Sequence, residues 1–161
     1  MTSNPKPKDH VLGPTSSHRS FGNYAVRLGK MVLSRAETAL APLDLKPLAY
    51  ETMACIRDGH GMSQRDLSDR LGIYAPKMVG LLDGLEKRGL VERKVSAADR
   101  RRHELVLTPS GRALLQRAVA IGAALEKDLF GCITEKEKRR FEALVQQLES
   151  EILKTKTQLR C

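Results

Sequence analysis

Basic side chains are concentrated between residues 93 and 102 of the 161-residue chain. The segment contains Arg93, Lys94, Arg100, Arg101 and Arg102, with Asp99 as the opposing acid, which gives it a local charge of +4. Guanidinium groups match the geometry of phosphate oxygens, and the whole chain carries a net charge of +9. This balance favours a polyanion as partner, because neutralising phosphates releases their condensed counterions. A charge run alone is typical of a solvated surface, so its meaning depends on the elements that carry it.

Other kinds of chemistry find little support in the sequence. The three cysteines, Cys55, Cys132 and Cys161, are widely and irregularly spaced, which argues against a disulfide framework or a zinc ribbon. The four histidines show no metal-ligand spacing, and no glycine-rich phosphate loop precedes a helix. We therefore expect a protein that is not an enzyme and has no metal or other cofactor. Without an apolar run of membrane-spanning length or a secretion signal, we also expect no membrane partner and a cytoplasmic location.

Residues 63–87 have the pattern of a helix-turn-helix. Ser63 and Asp66 have the spacing of a capping box that opens a short helix, and Gly72 stands where the turn requires a positive φ. Ser68 is the small residue that a close helix crossing needs. Counted from Gln64, the apolar positions four, eight, ten, fifteen and eighteen of the motif are filled by Leu67, Leu71, Ile73, Met78 and Leu81. A second helix with Pro76 in its first turn is predicted from about residue 75, with Gly89 as its left-handed stop.

The basic cluster gains a context from this motif. Val91–Val95 and His103–Leu107 alternate apolar and polar residues and predict an antiparallel hairpin. A hairpin that directly follows a helix-turn-helix is a wing, and its tip carries Arg100, Arg101 and Arg102. Arginines on such a loop can enter the narrow minor groove of DNA, while the second helix of the motif lies in the major groove.

Long amphipathic helices flank this compact unit. We divide the chain into a mobile arm at 1–20, an N-terminal dimerisation helix at 21–45, a winged helix-turn-helix lobe at 46–107 and C-terminal dimerisation helices at 108–161. The fold class is mainly α with a small β-hairpin. The apolar stripes of the flanking helices are too long to be buried on so small a lobe, so we expect a homodimer.

The sequence also resembles the MarR-type transcriptional regulators over residues 46–130. The resemblance is carried by Leu85-Glu86-Lys87-Arg88-Gly89-Leu90-Val91, and by Asp99-Arg100-Arg101 followed by Leu107-Thr108-Pro109-Ser110-Gly111. It implies a homodimer that binds a pseudo-palindromic double-stranded DNA operator, commonly as a repressor. It further implies that Asp99 pairs with Arg101 to shape the wing, and that a small, often anionic or phenolic, effector releases the DNA.

These arguments assign a set of site residues. The expected DNA contacts are Ser63, Gln64, Tyr74, Ala75, Pro76, Lys77, Val79, Gly80, Arg93, Lys94, Arg100, Arg101 and Arg102. Tyr24, Arg27 and Lys30 on the first helix are candidates for effector binding. Relatives often place Arg, Ser or Thr where this recognition helix has Pro76, Val79 and Gly80, so Lys77 is its one charged side chain for base contact. We therefore expect specificity to depend on the wing and on DNA shape more than is usual.

Two alternatives stay open on the sequence alone. One is a winged-helix module that binds proteins, or that binds DNA without strong sequence preference, because the recognition helix offers few donors. The other is an oxidant-sensing regulator that uses one of the cysteines.

Overall fold

The computed structural model of the protein describes residues 20–59, 61–95 and 103–158. Within these ranges the elements are α1 (Phe21–Leu40), a 3-10 turn (Ala41–Leu43), α2 (Pro47–Asp58), α3 (Gln64–Leu71), α4 (Ala75–Lys87), β1 (Val91–Val95), β2 (His103–Leu107), α5 (Pro109–Phe130) and α6 (Glu135–Gln158). The predicted order of helices and strands is confirmed. No helix in the described ranges is both long enough and apolar enough to cross a bilayer.

The helix boundaries follow from side chains that bond the free backbone amides at the first turns. The Ser20 hydroxyl accepts from the amide of Asn23 at the start of α1. Thr108 caps α5 in the same way, with Pro109 in the first turn. At the start of α6 a second capping box is present, because Glu137 accepts from both the amide and the hydroxyl of Thr134 and the Glu137 amide donates to the Thr134 hydroxyl. These bonds lower the pKa of the Glu137 carboxyl, the backbone amide being the larger cause.

The two strands form an antiparallel hairpin with Val91 opposite Leu107 and Arg93 opposite Leu105. Since directly opposed residues share a face, these four side chains lie on the side of the hairpin that faces the helices. The hairpin is also tied to the loop before α3, because the amide of Leu105 donates to the carbonyl of Met62 at 3.0 Å.

One core joins α2, α3, α4, the hairpin and the first half of α5. Its fully buried side chains include Met53, Leu67, Met78, Leu82 and Leu115. On α5 apolar residues recur at three- and four-residue spacing at Leu114, Ala118, Ile121, Leu125 and Leu129. Of these Ala118 is fully buried and the other four are half-buried, and the neighbouring Leu115 is buried in the lobe as well.

Much of α1 and α6 lies outside this core. Large apolar side chains on these helices are 44–72% exposed within one chain, among them Phe21, Tyr24, Met31, Phe141, Leu144, Leu148 and Ile152. Their exposure leaves an apolar face on each helix without a partner in the described part of the chain. Faces of this size are usually covered by another protein surface.

Candidate nucleic-acid interface

Helices α3 and α4 form the predicted helix-turn-helix. Ser63 accepts from the amide of Asp66, and the Asp66 carboxylate accepts from the Ser63 amide at 2.9 Å, which completes the capping box. Gly72 ends α3 with φ +61°, a conformation that glycine adopts without a steric penalty. Ser68 is buried at the crossing, as predicted, and its hydroxyl has no hydrogen-bond partner within the described residues. The two helices are therefore fixed by local capping and by one small residue at their contact.

The first turns of α4 present the surface that a recognition helix would offer to DNA. Tyr74 precedes the helix and is 78% exposed, and Val79 is 38% exposed. Pro76, Lys77 and Gly80 are exposed as well. The opposite side of the helix is held in the core by Met78, Leu82 and Leu85, so the orientation of this surface is fixed by packing.

Arg93 lies between the hairpin and α4 rather than on the outer surface of the wing. Its guanidinium donates to Asp83 at 2.8 Å and to Glu86, and the backbone amide of Arg93 donates to the same Glu86 carboxylate at 3.2 Å. Its side chain is only 29% exposed. The donors expected to contact DNA at this position are therefore occupied by two carboxylates of α4, and they hold β1 against that helix.

The other basic side chain of β1 points the opposite way. Lys94 is 60% exposed and pairs with Glu92 at 2.8 Å on the outer face of the hairpin. It remains accessible to a phosphate, because an exposed ion pair of this kind is worth little. Asp99, Arg100, Arg101 and Arg102 lie outside the described residues.

The end of α4 is tied to α5 by three contacts around one turn. The Thr108 hydroxyl donates to the carbonyl of Gly89 at 2.6 Å, and the Thr108 amide donates to the carbonyl of Leu90 at 3.1 Å. Gly111 packs so closely on the same turn that a Cβ there would overlap the Leu90 oxygen. The Thr-Pro-Ser-Gly segment thus joins the lobe to α5, which gives that motif a packing role.

A fourth contact reaches the first helix. Arg88 at the end of α4 donates to the carbonyl of Asp44 at 2.7 Å, and its guanidinium lies 3.5 Å from the Asp44 carboxylate. Asp44 holds a left-handed φ of 47° directly after the 3-10 turn that ends α1. Sequence reasoning did not identify this contact, because its partners lie 44 residues apart and no local pattern connects them.

Two open cavities lie beside the long helices. One, of about 440 Å³, lies between α2, β2 and α5 and is lined by Arg57, Glu104 and Arg112 among others. The second, of about 430 Å³, lies between α1 and α5 beside the ion pair of Arg35 and Asp128.

The effector candidates on the first helix are placed elsewhere. Tyr24, Arg27 and Lys30 are exposed near the start of α1 and line neither of the two cavities. In one chain Tyr24 is part of the exposed apolar face of that helix, and Arg27 and Lys30 are exposed on the same helix.

The cysteines differ in environment. Cys55 is half-buried in α2, and burial raises the pKa of its thiol, which disfavours the reactive thiolate at neutral pH. Cys132 is exposed at the junction of α5 and α6. Cys161 lies outside the described residues. Across 20–59, 61–95 and 103–158, no three His, Cys, Asp or Glu side chains are grouped as metal ligands.

Comparison with known proteins assigns the family. A sequence profile of the MarR family matches residues 43–102. Transcriptional regulator HosA of Escherichia coli O157:H7 is 31% identical over 105 residues, which are 65% of this chain and 78% of HosA. The crystal structure of CouR from Rhodococcus jostii RHA1 bound to p-coumaroyl-CoA aligns with a TM-score of 0.78 at 29% identity, over 84% of this chain and 95% of CouR. The transcriptional repressor CouR bound to a 23-mer DNA duplex aligns with a TM-score of 0.74 at 30% identity, over 88% and 99% of the two chains.

The helix-turn-helix with its adjoining hairpin, the motifs at 85–91 and 107–111 and these comparisons lead to one conclusion. The chain belongs to the MarR family of transcriptional regulators.

Proposed function

We propose that the protein is a homodimeric, sequence-specific DNA-binding repressor that releases its operator when a small anionic or phenolic ligand binds. The observation that carries this proposal is the helix-turn-helix itself, in which α4 is fixed by its buried side and exposed on the other, next to an antiparallel hairpin. A protein that acts on the operator works where the DNA is, so we place it in the cytoplasm of its cell.

The exposed apolar faces of α1 and α6 support a dimer. A second copy would cover both faces and set two recognition helices in successive major grooves, about 34–36 Å apart. Light scattering of purified protein tests this assignment. Phe141→Glu on the apolar face of α6 should yield monomers, whereas Gln146→Glu on the opposite side of the helix should leave the dimer intact. A monomeric wild-type protein would overturn the proposal.

We assign the DNA contact to the N-terminal part of α3, to residues 74–80, to Lys94 and to the arginines at 100–102. Arg93 supports this surface from behind. Footprinting on the DNA upstream of the protein's own reading frame should reveal a protected pseudo-palindrome. Arg101→Ala should lower the ratio of operator to random-sequence affinity more than Lys77→Ala does. An unchanged ratio for Arg101→Ala, combined with loss of discrimination in Lys77→Ala, would contradict the role given to the wing.

The shortage of hydrogen-bond donors on α4 favours a second candidate function, a winged-helix module that binds DNA without sequence preference or binds other proteins. Salt separates these possibilities. A dimer that contacts six to ten phosphates should lose roughly 10³–10⁵ in affinity between 50 and 200 mM salt. Specific and random duplexes of equal affinity would favour the non-specific module, and the absence of any DNA binding in dilute buffer would favour the protein-binding module.

The ligand part of the proposal draws on the cavity between α2, β2 and α5. Arg112 and Arg57, the latter paired with Asp58, place two guanidinium groups at its wall beside Glu104. The two cations suit a carboxylate or phosphate, and Ile56 and Leu105 add apolar surface for a ring. CouR binds p-coumaroyl-CoA, which combines a phenol with several anionic groups. We therefore favour an aromatic acid or its thioester as effector.

Release of a fluorescent operator by a panel of aromatic acids and their coenzyme A thioesters tests the ligand. Arg57→Ala should raise the ligand concentration needed for release about tenfold, without changing DNA affinity in the absence of ligand. Arg27→Ala is the matched control, because Arg27 is a sequence candidate that lies away from this cavity. The opposite outcome, with Arg27→Ala affected and Arg57→Ala unchanged, would move the site to α1.

An oxidant-sensing role is supported less well by the described cysteines. The raised pKa of Cys55 makes its thiol slow to oxidise, and Cys132 lies far along the chain from the recognition helix. Peroxide treatment followed by DNA binding tests this alternative directly. Release by peroxide that is lost in Cys132→Ser would favour the redox switch over the ligand switch.

A further inference from the structure

The exposed surface of α4 is unusual in its chemistry. From Tyr74 to Leu82 the sequence contains no Arg, Asn, Gln, Asp, Glu, Ser or Thr. The exposed groups are a phenol ring at Tyr74, the ring of Pro76, the two methyl groups of Val79 and the single ammonium group of Lys77. These are the side chains that a recognition helix would turn toward base edges, and they are mostly apolar.

The major groove offers one apolar feature to such a surface. Guanine and adenine are usually read through bidentate bonds from Arg, Lys, Asn or Gln, whereas thymine carries a 5-methyl group that makes van der Waals contact with apolar side chains. A helix without amide or guanidinium side chains cannot make the paired bonds from Arg, Asn or Gln. Its rings and methyl groups do fit thymine methyls.

The shape of α4 permits the close approach that such contacts require. Gly80 and Gly84 leave open space where a side chain would stand, since nothing lies within 4 Å of a Cβ built at either residue. Together with Pro76 they form a low ridge along the exposed side of the helix. Because this ridge is low, the axis of α4 can lie deep in the major groove. Val79 and Tyr74, on either side of the ridge, then reach the 5-methyl groups of thymine.

Charge complementarity identifies DNA as the occupant of this apolar surface. Asp83, an exposed acidic side chain of α4 beside this ridge, is bound by Arg93 at 2.8 Å, so its repulsion of phosphates is offset. Lys77 and Lys87 are exposed on the same helix, and the chain has a net charge of +9. An apolar ridge bordered by cations favours the floor of a major groove between two phosphate backbones over an apolar protein partner.

We propose that Tyr74, Pro76 and Val79 read each operator half-site through the 5-methyl groups of thymine, and that Lys77 supplies the single charged hydrogen bond. This inference rests on the proposed function, because it requires α4 to enter the major groove. The proposal predicts that each half-site has thymines at the base pairs that α4 faces.

Selection of bound duplexes from a random library, followed by replacement of each half-site thymine with deoxyuridine, tests the proposal. Deoxyuridine keeps the Watson–Crick pair and removes only the methyl group. Each thymine that α4 reads should then lose about fourfold in affinity, the value expected for one buried methyl group. Exchange of the same A·T pair for inosine·cytosine also removes the methyl group and keeps an A·T-like minor groove, so it should cause the same loss of affinity. Inosine·5-methylcytosine returns the methyl group and should restore the affinity.

Variants assign the contact to side chains. Val79→Ala should weaken the thymine duplex about fourfold and the corresponding deoxyuridine duplex hardly at all, because the contact is already missing there. Val119→Ala is the matched control, since Val119 is 37% exposed on α5 and Val79 is 38% exposed on α4. The control should leave the ratio of thymine to deoxyuridine affinity unchanged.

Two outcomes would overturn the inference while leaving the proposed function in place. One is a specific operator in which every deoxyuridine substitution changes affinity less than twofold. The other is a thymine effect that Val79→Ala, Tyr74→Ala and Pro76→Ala all leave unaltered. If selection returns no preferred sequence, the proposed specific regulator fails first, and the methyl readout fails with it.

Discussion

Replacement of Arg93 by alanine separates two roles for one basic side chain. The sequence places Arg93 in a basic segment that is expected to contact DNA, whereas the structure shows it bound to Asp83 and Glu86 of α4. If the structural contacts are its main role, Arg93→Ala loosens the hairpin from the recognition helix and lowers stability. If it neutralises a phosphate, the same substitution changes the salt dependence of DNA binding instead.

The expected loss of stability can be worked from burial. Arg93 and Glu86 are each 29% exposed, which places their bond between a surface ion pair and a buried charged hydrogen bond. Such a bond is worth roughly 1.5 kcal/mol, between the ranges for those two cases. Asp83 is 57% exposed, so its pair with Arg93 adds only a few tenths of a kcal/mol. Arg93→Ala should therefore lower the free energy of unfolding by about 2 kcal/mol, or Tm by about 4–8 °C.

Urea and thermal unfolding at one fixed protomer concentration measure this effect, because the stability of a dimer depends on concentration. Lys94→Ala is the matched control. It removes one positive charge from the adjacent residue, but its ion pair with Glu92 is exposed and its loss should cost less than about 0.5 kcal/mol. Arg93→Lys should recover part of the stability, since an ammonium group can bind one of the two carboxylates but not both in the same geometry.

The reasoning would be refuted if Arg93→Ala were no less stable than Lys94→Ala. Arg93 would instead be assigned to a phosphate if Arg93→Ala left the free energy of unfolding unchanged and made DNA binding less sensitive to salt. In that case the slope of log K for DNA binding against log salt concentration would decrease in magnitude by about one per subunit. The structural role predicts weaker DNA binding at an unchanged slope.

Two further substitutions and one titration test other contacts. Gly111→Ala should lower the free energy of unfolding in urea by roughly 1–3 kcal/mol, because its Cβ would overlap a backbone oxygen. The control Gly84→Ala, in open space on α4, should raise it by up to about 1 kcal/mol. Equal effects of the two substitutions would contradict the close approach at Gly111. Ser68→Ala should raise stability by about 1 kcal/mol, since it removes a buried hydroxyl without a partner among the described residues, and a loss of stability would mean that the hydroxyl is satisfied. Glu137 has a lowered pKa, so its capping contribution is present above the pKa of the unfolded chain and is lost as pH falls through the folded value. An NMR titration that places Glu137 at or above ordinary glutamates would contradict this assignment.

Local sequence signals were sufficient for most of the fold. Both strands begin and end at the predicted residues, and α4 begins at Ala75 as its proline position indicated. The capping boxes at Ser63 and Thr134 and the left-handed Gly89 are all present. These features depend on residues within four positions of one another, which is why they can be read directly from the chain.

The position of Arg93 was missed although the sequence contains the relevant signal. The alternation of apolar and polar residues in β1 indicates that Val91 lies on the buried side of the hairpin, and side chains two residues apart in a strand lie on the same side. Arg93 must therefore point toward the helices, where it binds Asp83 and Glu86, which precede it by ten and seven residues in the chain. A net charge summed over residues 93–102 does not distinguish the two faces of β1, so it does not separate Arg93 from Lys94.

Other contacts could not be derived from local patterns. The bond between Arg88 and Asp44 joins residues 44 positions apart, and nothing near either residue indicates the other. The choice of Leu115 over Leu114 as the buried residue of α5 depends on the angle at which that helix crosses the lobe. Neighbouring apolar residues on a helix differ by about 100° in direction, so a small rotation exchanges their roles.

The bonds around the end of α4 have a consequence for ligand control. Thr108 bonds Gly89 and Leu90 from the start of α5, and Arg88 bonds Asp44 beyond the end of α1. Because close-packed contacts transmit displacement rather than absorb it, α1 or α5 cannot shift against the lobe without either moving α4 or breaking these bonds. In the proposed mechanism, a ligand that binds in the cavity between α2, β2 and α5 would act on α4 through this path of a few bonds. In a dimer, these bonds would limit how far the two recognition helices can move relative to each other. The contacts of Thr108 and Arg88 would therefore determine both the response to a ligand and the half-site spacing that the dimer accepts.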